Sequence, residues 1–418
     1  MRYIIKGGKK LQGKVTVSGN KNSVFPCIAA SLLTKEEVVL ENVPGNRDTE
    51  VIIRLIKKLG VAVNKDGSTL SIKAAQIRSS SLPQDLMTQL RGAVVLSGAI
   101  LARFGKVSFH HPGGDIIGQR SIESHLEGFK ALGVTLKKRD LKYSLQYLDR
   151  ESDCTIFLQE ASVSAVENLI LASVLGKKTV TLKNCPGEPH VLDLCRLLNS
   201  MGARIEGYGS NTIIVTGVDQ LFGTKFRLGI DCIEVGTYVV AAAITHGEVI
   251  IMGLDNTDLD PVLLPLGRFG INLKIDKGTV TVNQSNLKSI SKLVTNIWPG
   301  FPTDLMSAAI VLATQSKGMT LCHDWMYESR MFFIDKLITM GAKITLADPH
   351  RVLVYGPDKL HGRLLETPDI RAGMALVLAA LVARGRSIIN QAELIERGYE
   401  DIVEKLRGLG ADITRENV

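Results

Sequence analysis

The stretch IKKLGVAVN, residues 56–64, joins a helix end, a glycine and the start of an alternating strand. Glycine is favoured just past a helix because it adopts the left-handed conformation that ends many helices. The alternating residues that follow Gly60 are typical of a half-buried strand. The same arrangement recurs as FKALGVTLK at 129–137, LNSMGARIE at 198–206, LGRFGINLK at 266–274, LITMGAKIT at 337–345 and LRGLGADIT at 406–414.

The glycines of these segments are almost evenly spaced, with successive gaps of 73, 69, 68, 71 and 69 residues. Any α/β protein offers some helix–glycine–strand junctions by chance, but chance does not explain six at a nearly constant distance. A fixed period of this kind indicates an internal repeat. We therefore predict six similar units, whose glycines are Gly60, Gly133, Gly202, Gly270, Gly341 and Gly410.

Each unit also contains a helix rich in Ala, Leu and Val, as in SAVENLILASVLGKKTVTLKNC at 164–185. A helix that is apolar nearly all round belongs in the interior, so sheets should pack outside it. The predicted fold class is α/β, with two inside-out barrel domains of three units each, helices inside and sheets outside. The expected domains are residues 1–20 with 229–418, and residues 21–228, which carry a loop at 110–122. A ligand is expected in a cleft between two such halves.

Composition excludes several classes of protein. The chain has 418 residues, 45% of them hydrophobic, and a net charge of +8, which favours an anionic partner. Aromatic content is only 5% and basic runs are short, so no nucleic-acid partner is expected. The longest apolar run, MALVLAALVA at 374–383, is about half a bilayer span, and the N-terminus is strand-like, so we expect a cytoplasmic protein without a membrane partner. The six cysteines show no zinc-ligand spacing and are expected to be reduced.

Charged and polar residues stand at the starts of the apolar helices. Lys21 and Asn22 open one of them, where the helix N-terminus favours an anion. A solvated lysine beside a capping asparagine is the simpler alternative. Similar residues recur at equivalent points of other units, among them Glu167, Asn168, Glu234, Asp369 and Glu400, and any one of these could be a cap or a surface ion pair.

Repetition of such residues would bring a set of cations to one end of each half. Arginine forks suit phosphate and carboxylate, so the ligand is expected to be a phosphorylated carboxylate, with a second phosphorylated molecule beside it. The cations are Lys21, Arg120, Arg330, Arg371 and Arg397.

Eight segments spread along the whole chain resemble the motifs of the enolpyruvyl transferases. They are NKN at 20–22, LRGA around Arg91, PGGDIIGQR at 112–120, the SVSAVEN stretch at 162–168, FPTD at 301–304, ESR at 328–330, DIRA at 369–372 and RGYE at 397–400. The resemblance implies two inside-out barrels and transfer of the enolpyruvyl group of phosphoenolpyruvate to a hydroxyl, with release of phosphate. Lys21-Asn22 and the PGGD loop resemble the branch acting on the 3-hydroxyl of UDP-N-acetylglucosamine, in peptidoglycan synthesis, more than the 3-phosphoshikimate branch.

The resemblance also implies roles for individual residues. The implied catalytic residues are Asp115, Asp304, Lys21 and Arg397. The implied phosphoenolpyruvate site consists of Lys21, Asn22, Arg120, Arg330, Arg371 and Arg397. The implied nucleotide-sugar site consists of Asn22, Arg91, Arg120, Glu123, His125, Ser162, Val163, Asp304 and Met326, and Lys405 is a weaker candidate. No metal or cofactor is implied, and a monomer or weak homo-oligomer is expected.

Four features of this chain depart from the family pattern. Glu160 stands where a lysine can serve the nucleotide, and Ser121 and Glu123 stand where proline and aspartate are frequent. Ser164 replaces a common glycine, and Cys232 replaces an arginine. A paralogue acting on another UDP-sugar, and a non-catalytic protein whose nucleic-acid binding falls steeply with salt, remain alternatives.

The loop HHPGGDIIGQRSIESH, residues 110–125, carries the implied general acid, Asp115. Protonation of the phosphoenolpyruvate methylene carbon needs a group that is still protonated at working pH, whereas a free aspartic acid is ionised there. Loop closure that excludes water, together with the negative charge of the bound substrate, would raise its pKa. Gly113, Gly114 and Gly118 would let the loop close.

Many relatives carry cysteine at the position of Asp115, and fosfomycin acts by alkylating that cysteine. We therefore expect this enzyme to keep its activity in the presence of fosfomycin, because a carboxylate replaces the thiol. Phosphate release measured after preincubation with the drug tests this. Loss of activity in stoichiometric proportion to the drug would contradict the placement of the loop.

Overall fold

The computed structural model describes residues 1–114, 121–255 and 257–417. Helices and strands alternate through these residues, which confirms the predicted α/β class. In the same residues, no helix combines the length and apolar character that crossing a membrane requires. Asp115 and Arg120 lie outside the described residues, so the structure says nothing about either.

The described residues form thirteen α-helices and three short 3-10 helices. The 3-10 helices are Arg91–Val95, Thr303–Leu305 and Ala392–Arg397. The α-helices are α1 (Lys21–Ser31), α2 (Arg47–Lys58), α3 (Gln84–Met87), α4 (Leu96–Phe104), α5 (Glu123–Ala131), α6 (Val163–Ser173), α7 (Pro189–Ser200), α8 (Cys232–Ile244), α9 (Asp260–Gly267), α10 (Met306–Thr314), α11 (Ile334–Thr339), α12 (Ile370–Val382) and α13 (Ile402–Gly408).

The strands are short, with three to six residues each. They are β1 (Arg2–Lys6), β2 (Gln12–Thr16), β3 (Glu37–Glu41), β4 (Ala62–Asp66), β5 (Thr69–Lys73), β6 (Lys106–His110), β7 (Val134–Arg139), β8 (Lys142–Tyr147), β9 (Cys154–Phe157), β10 (Thr179–Lys183), β11 (Arg204–Glu206), β12 (Thr212–Thr216), β13 (Thr224–Arg227), β14 (Glu248–Met252), β15 (Asn272–Asp276), β16 (Thr279–Asn283), β17 (Lys292–Val294), β18 (Gly318–His323), β19 (Lys343–Asp348), β20 (Arg351–Gly356), β21 (Leu364–Glu366), β22 (Arg386–Asn390) and β23 (Asp412–Glu416).

Within the described residues the strands form six small sheets, and all six contain the same antiparallel series of three. In β3-β5-β4, Val38 faces Ile72, which faces Val63 on its other side. The remaining series are β6-β8-β7, β10-β12-β11, β14-β16-β15, β18-β20-β19 and β22-β1-β23. The last series takes its middle strand from the N-terminus. Five of the sheets add a parallel edge strand, namely β13, β9, β2, β17 or β21.

The six repeated glycines all have positive φ, from 81° at Gly270 to 104° at Gly341. Helix α2 shows the local reason: Leu59 caps it in a right-handed conformation, and Gly60 then turns the chain at a φ of 93° into β4. A side chain at that φ would strain the backbone. The predicted role of these glycines at helix ends is therefore confirmed.

The apolar helices form the core, as their composition predicts. Every residue of α8 and of α10 is buried, and α12 is buried from Ile370 to Leu381. Full burial of each aliphatic side chain stabilises the fold by about 1.5–3 kcal/mol, before the entropy of ordering is counted. These helices therefore hold fixed the residues at their N-terminal ends.

The chain divides into two compact units. Unit 1 contains Met1–Ser18 and the chain from Ile230 onward, while unit 2 contains Gly19–Gly114 and Ser121–Gly229. Unit 1 holds the sheets built on β14, β18 and β22, and unit 2 holds those built on β3, β6 and β10. Each unit has its own hydrophobic core.

Glu167 is a carboxyl group inside the core of unit 2. It lies on α6 and is 3% exposed, and its Oε1 has no hydrogen-bond partner among the described residues. Burial and, to a smaller degree, repulsion from Glu188 raise the pKa of Glu167 well above its usual value. The folded protein therefore keeps this proton at pH values where the unfolded chain releases it.

We expect Glu167→Gln to stabilise the protein at pH 8 and to leave it unchanged at pH 4.5. Above the pKa of the unfolded chain, holding the proton costs the wild type up to about 1.4 kcal/mol per pH unit, and the neutral glutamine escapes that cost. Unfolding midpoints across this pH range, with Glu127→Gln at an exposed position of α5 as the control, provide the test. A difference that does not change with pH would contradict the prediction.

Candidate active site

Lys21 lies at the start of α1 and is not solvated. Asn20 caps the helix, since its side chain accepts a hydrogen bond from the Asn22 backbone N–H at 2.9 Å. The Lys21 Nζ lies 2.9 Å from the Asp48 Oδ2, and the two side chains are only 10% and 5% exposed. The alternative of a solvated lysine is therefore wrong. The lysine is held as a buried cation by a carboxylate of the next helix, α2.

In unit 1, Asp304 lies between two arginines. The Arg330 Nη2 is 3.1 Å from Asp304 Oδ1, and the Arg371 Nη2 and Nε are 2.9 and 3.0 Å from Asp304 Oδ2. Asp304 keeps 30% of its side chain exposed, but Arg330 and Arg371 keep only 1% and 6%. Three predicted site residues are thus brought into direct contact, with the carboxylate at the surface of the group.

The two guanidinium groups remain charged despite their burial. Burial lowers the pKa of Arg371. The negative charge of Asp304 and the contact between Arg371 and Tyr399 act in the opposite direction, and the pKa of Arg371 is raised overall. The Arg371 guanidinium also lies 5.2 Å from the centre of the Tyr399 ring, and Arg330 lies 5.4 Å from that of Tyr327. Together these contacts keep both guanidinium groups positively charged.

Part of the hydrogen-bonding capacity of this arginine pair is unused. The Arg330 Nε and Arg371 Nη1 are buried and have no hydrogen-bond partner among the described residues. A buried cationic donor without an acceptor is costly, so such donors point to an anion that binds there. The guanidinium fork can bind carboxylate or phosphate with two hydrogen bonds.

Asp324 supports this cluster and was missed by the sequence analysis. It is completely buried, and its Oδ2 accepts from the Thr303 hydroxyl at 2.5 Å and lies 4.0 Å from the Arg330 Nε. Its Oδ1 accepts from the backbone N–H of Met326, a predicted sugar-site residue that is half-buried. Asp324 and Asp48 gave no local signal, because each meets its cation only through the fold.

In unit 2, His125 belongs to a buried polar chain. Its Nε2 lies 3.0 Å from the Ser164 Oγ, and its Nδ1 lies 2.9 Å from the Asn168 Nδ2. The Asn168 Oδ1 accepts in turn from the Gly98 N–H at 2.6 Å. Burial, and the nearby positive charge of Arg91, lower the pKa of His125 to about 3. The ring is therefore neutral at ordinary pH.

The other predicted nucleotide-sugar residues of unit 2 lie at helix starts or before them. Arg91 opens its 3-10 helix and donates from Nη2 to the Ser121 carbonyl at 2.7 Å. Ser162 is the residue before α6 and Val163 is its first residue, and both are half-buried. Glu123 opens α5 and is exposed.

The structure also shows where three of the residues that depart from the family pattern lie. Glu160 is exposed and accepts from the Ser124 hydroxyl at 3.2 Å. Cys232 begins α8 and is buried, and burial raises the pKa of its thiol. Ser164, in the first turn of α6, contacts His125.

Lys405 and Arg397 lie in unit 1. The Lys405 Nζ is 2.6 Å from the Glu234 Oε1 and 2.7 Å from the Ser18 Oγ, so this lysine is not simply solvated. Arg397 is half-buried at the end of the 3-10 helix Ala392–Arg397. In the described part of the chain, no group of three or more His, Cys, Asp or Glu side chains could hold a metal ion.

Comparison with known proteins identifies the family. The EPSP synthase (3-phosphoshikimate 1-carboxyvinyltransferase) family matches residues 5–406. A UDP-N-acetylglucosamine 1-carboxyvinyltransferase from Borreliella burgdorferi is 45% identical over 99% of this chain and 98% of its own. A protein of the same name from Treponema denticola is 41% identical over 98% of both chains.

The chain belongs to the UDP-N-acetylglucosamine 1-carboxyvinyltransferase family. The predicted resemblance to the enolpyruvyl transferases is confirmed. Among solved structures, the enolpyruvyl transferase NikO from Streptomyces tendae shares 26% identity with a TM-score of 0.88, covering 99% of this chain and 98% of that one. Members of this family are enzymes, and the likeness extends over nearly the whole fold.

We expect Asp304→Asn to lower the free energy of unfolding by about 3 kcal/mol, because it removes the carboxylate that both buried guanidinium groups contact. Denaturant titration measures this. Asp276→Asn is the control, since Asp276 forms an exposed ion pair with Lys274, and it should leave the unfolding midpoint unchanged. Equal stability of the Asp304 variant and the wild type would contradict the description of the arginine pair.

Proposed function

We propose that this enzyme transfers the enolpyruvyl group of phosphoenolpyruvate to the 3-hydroxyl of UDP-N-acetylglucosamine and releases phosphate. The names of full-length relatives support the reaction, and its role in peptidoglycan synthesis is part of the proposal. The observation that carries the proposal is the buried pair Arg330 and Arg371, with its unpaired donors and its partly exposed carboxylate, Asp304. A site for a small, multiply charged anion beside a carboxylate base is what this reaction needs.

Asp304 acts as the base for the sugar hydroxyl in this proposal. Both of its oxygens accept from guanidinium groups in the structure, which stabilises the ionised form and weakens it as a base. An incoming anion that takes over some arginine donors would restore its basicity. Binding of phosphoenolpyruvate would thereby prepare Asp304 for catalysis.

The remaining anion contacts are proposed for residues that the resemblance implies. Lys21, which is paired with Asp48, would bind phosphoenolpyruvate together with Asn22, Arg120 and Arg397. Arg91, Glu123, His125, Ser162, Val163 and Met326 would contribute to the nucleotide-sugar site. No cofactor enters the proposed reaction, because proton transfer and charge stabilisation account for it.

Asp115 is proposed as the general acid that protonates the methylene carbon. We expect Asp115→Asn to abolish phosphate release while both substrates still bind, because the amide cannot donate the proton. Turnover and calorimetric binding are measured together, with Asp140→Asn in an exposed hairpin turn as the control. Near-normal turnover of the Asp115 variant would remove this residue from the acid role.

We also propose that the six sheets are copies of one ancestral unit, arranged as two inside-out barrels. Their common strand order and the six positive-φ glycines support this. The proposed domains are residues 1–20 with 229–418, and residues 21–228. A cytoplasmic enzyme that is a monomer or weak homo-oligomer is part of the same proposal.

A paralogue acting on another UDP-sugar is the second candidate. Glu160 and Ser164 favour it, because both lie near the proposed nucleotide site and differ from the family pattern. Phosphate release from phosphoenolpyruvate with UDP-N-acetylglucosamine, other UDP-sugars and shikimate 3-phosphate distinguishes the candidates. We expect turnover with UDP-N-acetylglucosamine and none with shikimate 3-phosphate, and the reverse result would overturn the proposal.

A further inference from the structure

The buried amide of Asn168 has a fixed orientation. The Gly98 backbone N–H can only donate, so the Asn168 atom that lies 2.6 Å away must be its oxygen. The amide nitrogen then lies near three groups: the Val94 carbonyl and the His125 Nδ1, each at 2.9 Å, and the Ser97 Oγ at 3.1 Å. Because an amide nitrogen can only donate, a hydrogen on the His125 Nδ1 beside it would oppose the amide hydrogens. Asn168 therefore donates to the histidine, and the two amide ends cannot be exchanged.

This orientation fixes the proton on His125. Its Nδ1 accepts from Asn168, so in the neutral ring the hydrogen is on Nε2. The Nε2–H then donates to the Ser164 Oγ at 3.0 Å. Because Asn168 and His125 are 0% and 1% exposed, water cannot readily rearrange this chain of hydrogen bonds.

The consequence falls on Ser164. Its oxygen accepts from His125, so its own hydrogen must point to a different acceptor. In the described ranges 1–114, 121–255 and 257–417, the structure gives this side chain no second hydrogen bond. Ser124 differs, since its hydroxyl already donates to the Glu160 carboxylate. Ser164 is half-exposed, so its oriented donor can reach a ligand.

The position of this donor selects an anion. Ser164 is in the first turn of α6, and that first turn contains no acidic residue and begins without a side-chain cap. The positive end of the helix and the serine O–H both favour a negatively charged acceptor. We infer that the Ser164 hydroxyl donates a hydrogen bond to a diphosphate oxygen of the nucleotide sugar and is a specificity-determining residue of this enzyme.

This inference rests on the proposed function and deepens it. With a carboxylate at Glu160, where a relative can carry lysine, this chain lacks one cation for the diphosphate. The serine hydroxyl, oriented from the core through His125, supplies a donor on the neighbouring helix turn. A neutral donor can replace part of that attraction without adding charge.

Binding of UDP alone tests the inference. We expect Ser164→Gly and Ser164→Ala to weaken calorimetric UDP binding, and to raise KM for the nucleotide sugar, by about ten-fold. KM for phosphoenolpyruvate and kcat at saturation should stay within about two-fold of the wild type. Ser164→Thr, which keeps the hydroxyl, should retain most of the affinity.

Ser200→Ala is the control, because the hydroxyl of that exposed serine of unit 2 donates, within the described part of the chain, only to the Leu197 carbonyl of its own helix. It should bind UDP like the wild type.

If glycine destabilises α6, Ser164→Ala still tests the inference, because the same loss of UDP affinity is expected of it. Unchanged UDP affinity in both Ser164 variants would overturn the inference even if the wild type turns over. Weakened UDP binding in a wild type that releases no phosphate would instead overturn the proposed function and leave the inference standing.

Discussion

The burial of two guanidinium groups around one carboxylate is the constraint on which the chemistry of unit 1 depends. Arg330 and Arg371 are almost inaccessible to water, and a charge in that position is tolerated only with a close counterion. Asp304 supplies this counterion to both. The same carboxylate is the residue that the reaction would use as a base, so structural stability and catalysis compete for it.

The surrounding fold makes this competition possible. The apolar helices α8, α10 and α12 occupy the core of unit 1, and their starts hold Cys232, the 3-10 turn of Asp304, and Arg371. Helices that are buried throughout cannot shift to relieve a misplaced charge. The charged side chains at their ends therefore keep their positions. A bound anion could then replace Asp304 as the partner of the arginines without a shift of the helices.

The sequence predicted the features that repeat locally and missed those that form through the fold. Gly60 and its five counterparts could be predicted because a positive φ after a helix leaves a direct trace in the sequence. Asp48 could not be predicted as the partner of Lys21, because the contact joins two helices. Asp324 was missed for the same reason. Individual candidates such as Arg330 were found by resemblance, and only coordinates gave their burial.

The chain of hydrogen bonds from Gly98 through Asn168 and His125 to Ser164 extends this argument to unit 2. The resemblance to the family implied a role for His125 and marked Ser164 only as a departure from the pattern, and it could not give the direction in which hydrogens point. That direction follows from one backbone N–H, which can only donate. A neutral histidine that is 1% exposed can pass this direction on to Ser164, because its burial limits competition from solvent. Ser164 thus has a hydroxyl whose hydrogen is oriented by the buried hydrogen bonds of His125 and Asn168.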